Sequence, residues 1–167
     1  VSVRYGIGVG ASGSTARVFV DEGVRLLRER LVGVGAVLGE SRRYDNPAWG
    51  GVTFAPFVNA AVVVEVPWTA TALLDELFVI ERRFGRVRGQ KNAARTLDLD
   101  VLWSSSPWVN TPGVRGPTIP HPRLRERAFA VRPLVEALNA AGIVVELGLQ
   151  QASNQHGTAP LTAHQNH

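Results

Sequence analysis

The amino-acid sequence predicts an α+β fold: an antiparallel sheet with helices packed on one of its faces. Three observations predict it. Several segments of strand length are apolar, foremost the β-branched run Phe57–Val66. Two longer segments carry apolar residues at helical spacing, Val20, Val24, Leu27 and Leu31 in one and Leu73, Leu77, Ile80 and Phe84 in the other. The segments follow one another as strand, helix, strand, strand, helix, strand, without the strict alternation that a parallel sheet requires. That order is the ferredoxin-like one, to which a late helix and strand are added.

The first strand is expected over Val3–Val9, running into Gly8-Val9-Gly10-Ala11-Ser12-Gly13 and then a helix from about Ser14 to Leu31. Gly8, Gly10 and Gly13 satisfy G-x-G-x-x-G, the spacing that cradles a dinucleotide pyrophosphate between a strand and a helix. Glu40 with Ser41-Arg42-Arg43 comes late for the ribose contact, and the chain does not continue as a doubly wound sheet. A structural glycine turn is therefore the preferred reading. Arg25, Arg28, Glu29 and Arg30 mark the wet side of the helix, Gly33 and Gly35 end it, and Ala36–Tyr44 reads as a second strand. Asp45 to Gly51 is rich in turn formers and holds Trp49, either a lid over the core or a wall for a flat ligand.

Phe57–Val66 contains Asn59, whose amide suits either paired hydrogen bonds to a heterocycle edge or bonds to neighbouring backbone. Thr69 or Thr71 caps the next helix, which runs to about Phe84. Glu81 lies near its end beside Arg82, Arg83 and Arg86, where the plainest reading is a surface ion pair of small value. Gly85–Ala94 reads as a basic loop able to close on phosphates. The strand Arg95–Leu102 follows, then connectors at Ser104–Pro107 and Asn110–Gly113. Next come Pro120-His121-Pro122 and the arginines up to Arg127, a helix Pro133–Ala141, and a short strand Ile143–Leu147.

Within Arg95–Leu102, Asp98 and Asp100 point to one face while Leu97, Leu99 and Val101 point to the other, because strand side chains alternate. Two like charges about 7 Å apart repel, so either water solvates both or a cation sits between them. Magnesium takes one or two such carboxylates together with substrate phosphates.

The chain has 167 residues, 45% of them apolar, which is enough for one domain with a real core, expected over residues 1–149. Residues 150–167 read as a polar, disordered tail. There is no cysteine, which removes disulfides and thiol nucleophiles. The longest apolar run is too short to cross a bilayer and no signal peptide is visible, so a cytoplasmic protein without a membrane partner is expected. Net charge is +4, carried almost wholly by arginine. The arginines flank the acidic pair instead of alternating with exposed aromatics, which fits a metal-bound polyphosphate better than nucleic acid.

Four blocks together resemble the 6-hydroxymethyl-7,8-dihydropterin pyrophosphokinase family: Phe57-Val58-Asn59-Ala60-Ala61; Ile80-Glu81 with Gly85-Arg86-Val87-Arg88; Arg95-Thr96-Leu97-Asp98-Leu99-Asp100; and Pro120-His121-Pro122 through Arg127-Ala128-Phe129. The resemblance implies diphosphate transfer from ATP to the pterin's hydroxymethyl oxygen, with release of AMP, in folate biosynthesis. It implies two Mg2+ ions held by Asp98 and Asp100, with Arg86 and Arg95 stabilising charge on the transferring group. Arg88 would belong to the closing loop, and Glu81, Thr118, His121 and Arg127 would lie at the nucleotide. Asn59 would read the pterin edge between Phe57 and Phe129, with Asn46, Pro47 and Trp49 completing the pocket. The protein is expected to be a monomer or a weak dimer. Asn92-Ala93-Ala94 stands where the family commonly has a Trp-Gly-Pro run, and Phe78 where a polar residue is common. The alternative is a relative that binds Mg-ATP and a pterin-like heterocycle without turning them over.

Overall fold

The computed structural model describes residues 1–46, 57–85, 97–106, 119, 124 and 128–144. Its elements are β1 (Val3–Ser12), α1 (Ala16–Leu31), β2 (Ala36–Glu40), β3 (Tyr44–Asn46), β4 (Phe57–Val66), α2 (Ala70–Arg83), β5 (Asp98–Ser104) and α3 (Ala128–Ala140). The strands form one sheet in the order β2-β4-β1-β5, with β3 also pairing with β4. Every pairing is antiparallel, as the ferredoxin-like order requires.

The two faces of the sheet are built differently. On one, Ile7, Val9, Val62, Val64, Leu99 and Val101 pack with Val20, Val24 and Leu27 of α1 and Leu73, Leu77 and Ile80 of α2. On the other, Ala61, Val63 and Leu102 pack with Val131, Leu134, Ala137 and Leu138 of α3. The two helices of the ferredoxin-like order, α1 and α2, share one face as the sequence suggests, and the added helix α3 covers the other. Burial of Leu134 and Leu138 stabilises that docking by roughly 1.5–3 kcal/mol each.

The glycines of β1 overturn their reading as a turn. Gly6, Gly8 and Gly10 all lie inside the strand, alternating with the buried Ile7 and Val9. Only Gly13, at φ +97°, turns the chain toward α1. A Cβ on Gly6 would stand 2.4 Å from Leu134 Cδ1, so α3 rests directly on the β1 backbone there. Gly39 of β2 plays the same part, since its Cβ would meet the Ala137 carbonyl oxygen at 2.3 Å.

Other boundaries shift for local reasons. The second strand divides at Ser41, whose buried hydroxyl accepts from Ala61 N at 2.8 Å and donates to the Arg42 carbonyl at 2.8 Å. Thr69 caps α2, its hydroxyl accepting from Ala72 N at 3.2 Å. The third helix begins at Ala128, with Pro133 inside it, so the proline does not mark its start. Pro133 has no N–H to offer the Phe129 carbonyl. The buried Val131 lies upstream of Pro133 and packs in the same cluster as Leu134, which holds the first turn helical. The helix ends at Gly142, φ +73°, where Ile143 N donates to the Leu138 carbonyl at 2.9 Å. Ile143 and Val144 therefore leave a helix cap and form no strand, and 145–147 lie outside the described residues. Among the described residues no helix is long and apolar enough to cross a membrane.

Candidate active site

The site lies on the α3 face of β4, β1 and β5, and the register builds it in two rows. Gly10 pairs with Asn59 on one side and Asp98 on the other, and Gly8 pairs with Ala61 and Asp100. Directly paired residues share a face, so both carboxylates and the Asn59 amide project beside a β1 backbone that carries no side chain there. Leu97 and Leu99 are fully buried and Val101 is 3% exposed, which is the alternation that the Asp pair predicts.

The absence of side chains on β1 is what makes room. A Cβ on Gly10 would come within 2.8 Å of Asn59 Oδ1, and one on Gly8 within 2.9 Å of Leu102 Cδ1. The resulting cleft is lined by Gly8, Gly10, Asn59, Asp98, Asp100 and Phe129, among others. The cleft is shallow and opens to solvent, with polar and apolar groups both in its lining. A bulge closes its inner end. The β1–β5 register slips between Gly6 and Ile7, which pairs Gly6 with Trp103 and Ile7 with Val101 and leaves Leu102 as the extra residue. Leu102, on the Asp98 and Asp100 side by alternation, joins the α3 cluster and lines the cleft, and the slip brings Trp103 against the same cluster.

Asp98 and Asp100 are both half-buried. At about 7 Å and an effective dielectric near 20, their repulsion is roughly 2 kcal/mol when both are ionised. A divalent cation between them reverses that sign. Two carboxylates with an open side toward a ligand suit Mg2+, which keeps phosphate and water oxygens in its remaining positions. Among the described residues no group of three or more His, Cys, Asp or Glu is placed to hold a metal by itself.

Glu81 sits behind this strand. It is 1% exposed, and its Oε1 accepts from Leu99 N at 2.9 Å, between the two aspartates in sequence. That burial takes it out of the class of exposed ion pairs at helix ends. α2 thus fixes the backbone from which Asp98 and Asp100 project.

Phe57 is on the Asn59 side of β4 by alternation, and it pairs with Asn46 of β3 and with Ser12 of β1. Phe129 enters from the first turn of α3. The sequence-predicted residues that the structure brings to one cleft are thus Asn59, Asp98, Asp100 and Phe129. Phe57 stands at the end of the sheet next to it and Glu81 behind it. Pro47, Trp49, Arg86, Arg88, Arg95, Thr118, His121 and Arg127 lie outside the described residues. Sequence reasoning missed Gly8 and Gly10 as parts of the site. The signal was present, since glycine at every second position against Ile7, Val9 and Ala11 is a strand with one bare face.

The family model for 7,8-dihydro-6-hydroxymethylpterin-pyrophosphokinase (HPPK) matches residues 6–139. The chain belongs to this family. The match begins inside β1 and ends inside α3, so it takes in every described residue of the cleft. A 2-amino-4-hydroxy-6-hydroxymethyldihydropteridine pyrophosphokinase of Methylorubrum extorquens is 36% identical over 100 residues, covering 60% of this chain and 61% of that protein. The enzyme of the same name from Mycobacterium leprae is 35% identical over 128 residues, covering 71% of this chain and 67% of its own. A third, from Synechocystis, is 36% identical over 80 residues, 48% of this chain and 40% of the relative. The chain thus spans from two fifths to two thirds of the length of these HPPK relatives.

Proposed function

We propose that this HPPK-family chain transfers a diphosphate from Mg-ATP to 6-hydroxymethyl-7,8-dihydropterin, giving AMP and the pterin diphosphate. One observation carries the reading: a carboxylate pair and an Asn amide stand side by side over a bare strand, with Phe129 above them. A polyphosphate needs the first and a flat heterocycle needs the others. The relatives' names supply the substrate.

In the proposed step the hydroxymethyl oxygen attacks the β-phosphorus of ATP. A bond forms there, the bond from that phosphorus to the oxygen bridging to the α-phosphorus breaks, and AMP leaves with the electron pair. The hydroxyl proton passes to solvent. No protein nucleophile takes part, in keeping with a chain that has no cysteine. Mg2+ at Asp98 and Asp100 would neutralise the phosphate oxygens and orient the transferring group. Asn59 holds the heterocycle edge so that the acceptor oxygen lies in line, with Phe57 and Phe129 against the ring. Arg86 and Arg95 are assigned to the transferring group, and Glu81, Arg88, Thr118, His121 and Arg127 to nucleotide binding and closure. Asn46, Pro47 and Trp49 are assigned to the pterin pocket. A chain that acts alone in the cytoplasm, without membrane or nucleic-acid partner, completes the reading.

Asp98→Ala tests it. Pterin-dependent AMP release should fall at least about 100-fold, and chelation of the divalent ion should stop the intact chain reversibly. Turnover that survives both would remove Asp98 and Asp100 from the reaction. Binding of Mg-ATP and pterin without AMP would favour the non-catalytic alternative.

A further inference from the structure

The cleft row continues one strand further than the proposed reaction uses. Tyr44 pairs with Asn59, Asn59 with Gly10, and Gly10 with Asp98, so Tyr44 stands on the same face as the site and directly beside Asn59. Its hydroxyl donates to Glu136 Oε2 on α3. Arg42 N donates to the other carboxylate oxygen of Glu136 at 2.8 Å. The Arg42 guanidinium lies 5.1 Å over the Tyr44 ring and 3.4 Å from Glu136 Oε2. Burial pushes the Glu136 carboxyl up, but the bonds from Arg42 N and Tyr44 and the Arg42 charge outweigh it, so Glu136 is held below the usual value as an anion.

Glu136 stands seven residues, two helical turns, after Phe129 on α3. The bond from Tyr44 therefore joins the strand next to Asn59 to the helix that carries the aromatic wall of the cleft. The opposite side of the β2–β3 segment is also tied down. Arg43 reaches Asp21 of α1 at 2.6 Å, and Arg17 reaches Asp45 at 3.0 Å.

We infer that Tyr44, Arg42 and Glu136 form a strut that sets the spacing between Asn59 and Phe129, and so tunes affinity for the acceptor heterocycle without touching the nucleotide. The inference deepens the proposed function and rests on it. Tyr44 and Glu136 act through Asn59 and Phe129, and are positioning residues. A purely structural contact would change the melting temperature alone, or weaken both substrates together. The strut instead predicts an effect on one substrate.

The test is a fluorescence titration of 6-hydroxymethyl-7,8-dihydropterin in the presence of a saturating non-hydrolysable ATP analogue, run beside a titration of the analogue alone. Tyr44→Phe keeps the ring and removes only the hydroxyl. It should raise the pterin Kd about five- to tenfold and leave the nucleotide Kd within about twofold. In turnover the pterin KM should rise with kcat nearly constant. Glu136→Ala should behave alike. Glu136→Gln, whose amide can accept from Arg42 N and donate to the Tyr44 oxygen, should recover most of the loss. Unchanged pterin affinity in Tyr44→Phe, or equal losses for both ligands, overturns the strut. A wild-type protein that binds no pterin overturns the proposed function itself, an outcome the unmodified chain alone reveals.

Discussion

Gly10→Ala puts the least possible matter into the cleft and should separate affinity from stability. The added methyl would lie 2.8 Å from Asn59 Oδ1, where 3.4 Å is ordinary contact. The Asn59 amide must therefore move by about 0.6 Å or rotate. The obstructed atom is the tip of a side chain, so the amide gives way and the sheet stays as it is. Gly10 has no positive φ, and alanine in a strand interior recovers roughly 0.5–1 kcal/mol of backbone entropy relative to glycine. Stability should accordingly hold or rise slightly. Loss or misalignment of one amide hydrogen bond to the heterocycle costs about 1–2 kcal/mol, or roughly 5- to 30-fold in Kd. Isothermal titration of the pterin and a thermal melt measure the two quantities on one preparation. An unchanged Kd with the fold intact would refute the claim that the bare β1 backbone is there for the Asn59 amide. The same variant bears on the G-x-G-x-x-G motif, because a dinucleotide site would show it as lost NAD(P) binding.

Two further outcomes follow from buried groups. Glu81→Ala strands the Leu99 N–H and should destabilise the chain by about 1–3 kcal/mol in urea unfolding, while Glu81→Gln, which keeps an acceptor, should lose clearly less. Tyr5 is buried and its hydroxyl donates to the Trp68 carbonyl at 2.7 Å; desolvation raises its pKa above the usual 10.0. The folded state thus holds this proton more tightly than the unfolded chain. The stability it contributes is complete below pH 10 and fades as pH climbs through the raised value, so Tyr5→Phe should flatten the alkaline side of a melting-temperature profile.

The parts of this molecule that were legible in sequence are those where one periodicity acts alone. Phe57–Val66 is found at both of its ends because five valines and Phe57 give it strand character along its whole length, and α2 follows from a Thr cap and an apolar stripe. Asp98 and Asp100 were legible for the same reason, since period-two charge against buried Leu97 and Leu99 has one geometric meaning. Where two demands compete, the reading failed. The glycines of β1 lower strand propensity, yet they stay in the strand because Leu134, Leu102 and Asn59 occupy the space their side chains would take. Pro133 is a natural helix start, yet α3 begins five residues earlier because Val131 and Leu134 bury on the sheet together. Glu81 looked like surface charge although it is buried and accepts from the backbone N–H of Leu99, and no side-chain pattern announces such a bond. Tyr44 and Glu136 are far apart in the chain, and only the β3–β4 register and the docking of α3 bring them together.

The most direct test of the proposed reaction is a 31P NMR time course of ATP, Mg2+ and 6-hydroxymethyl-7,8-dihydropterin with the intact chain. The reaction drawn from Asp98, Asp100 and Asn59 predicts that AMP and a pterin-linked diphosphate appear in equal amounts as ATP declines, with no ADP at any time. ADP as the nucleotide product, or ATP consumed equally fast without the pterin, would contradict it.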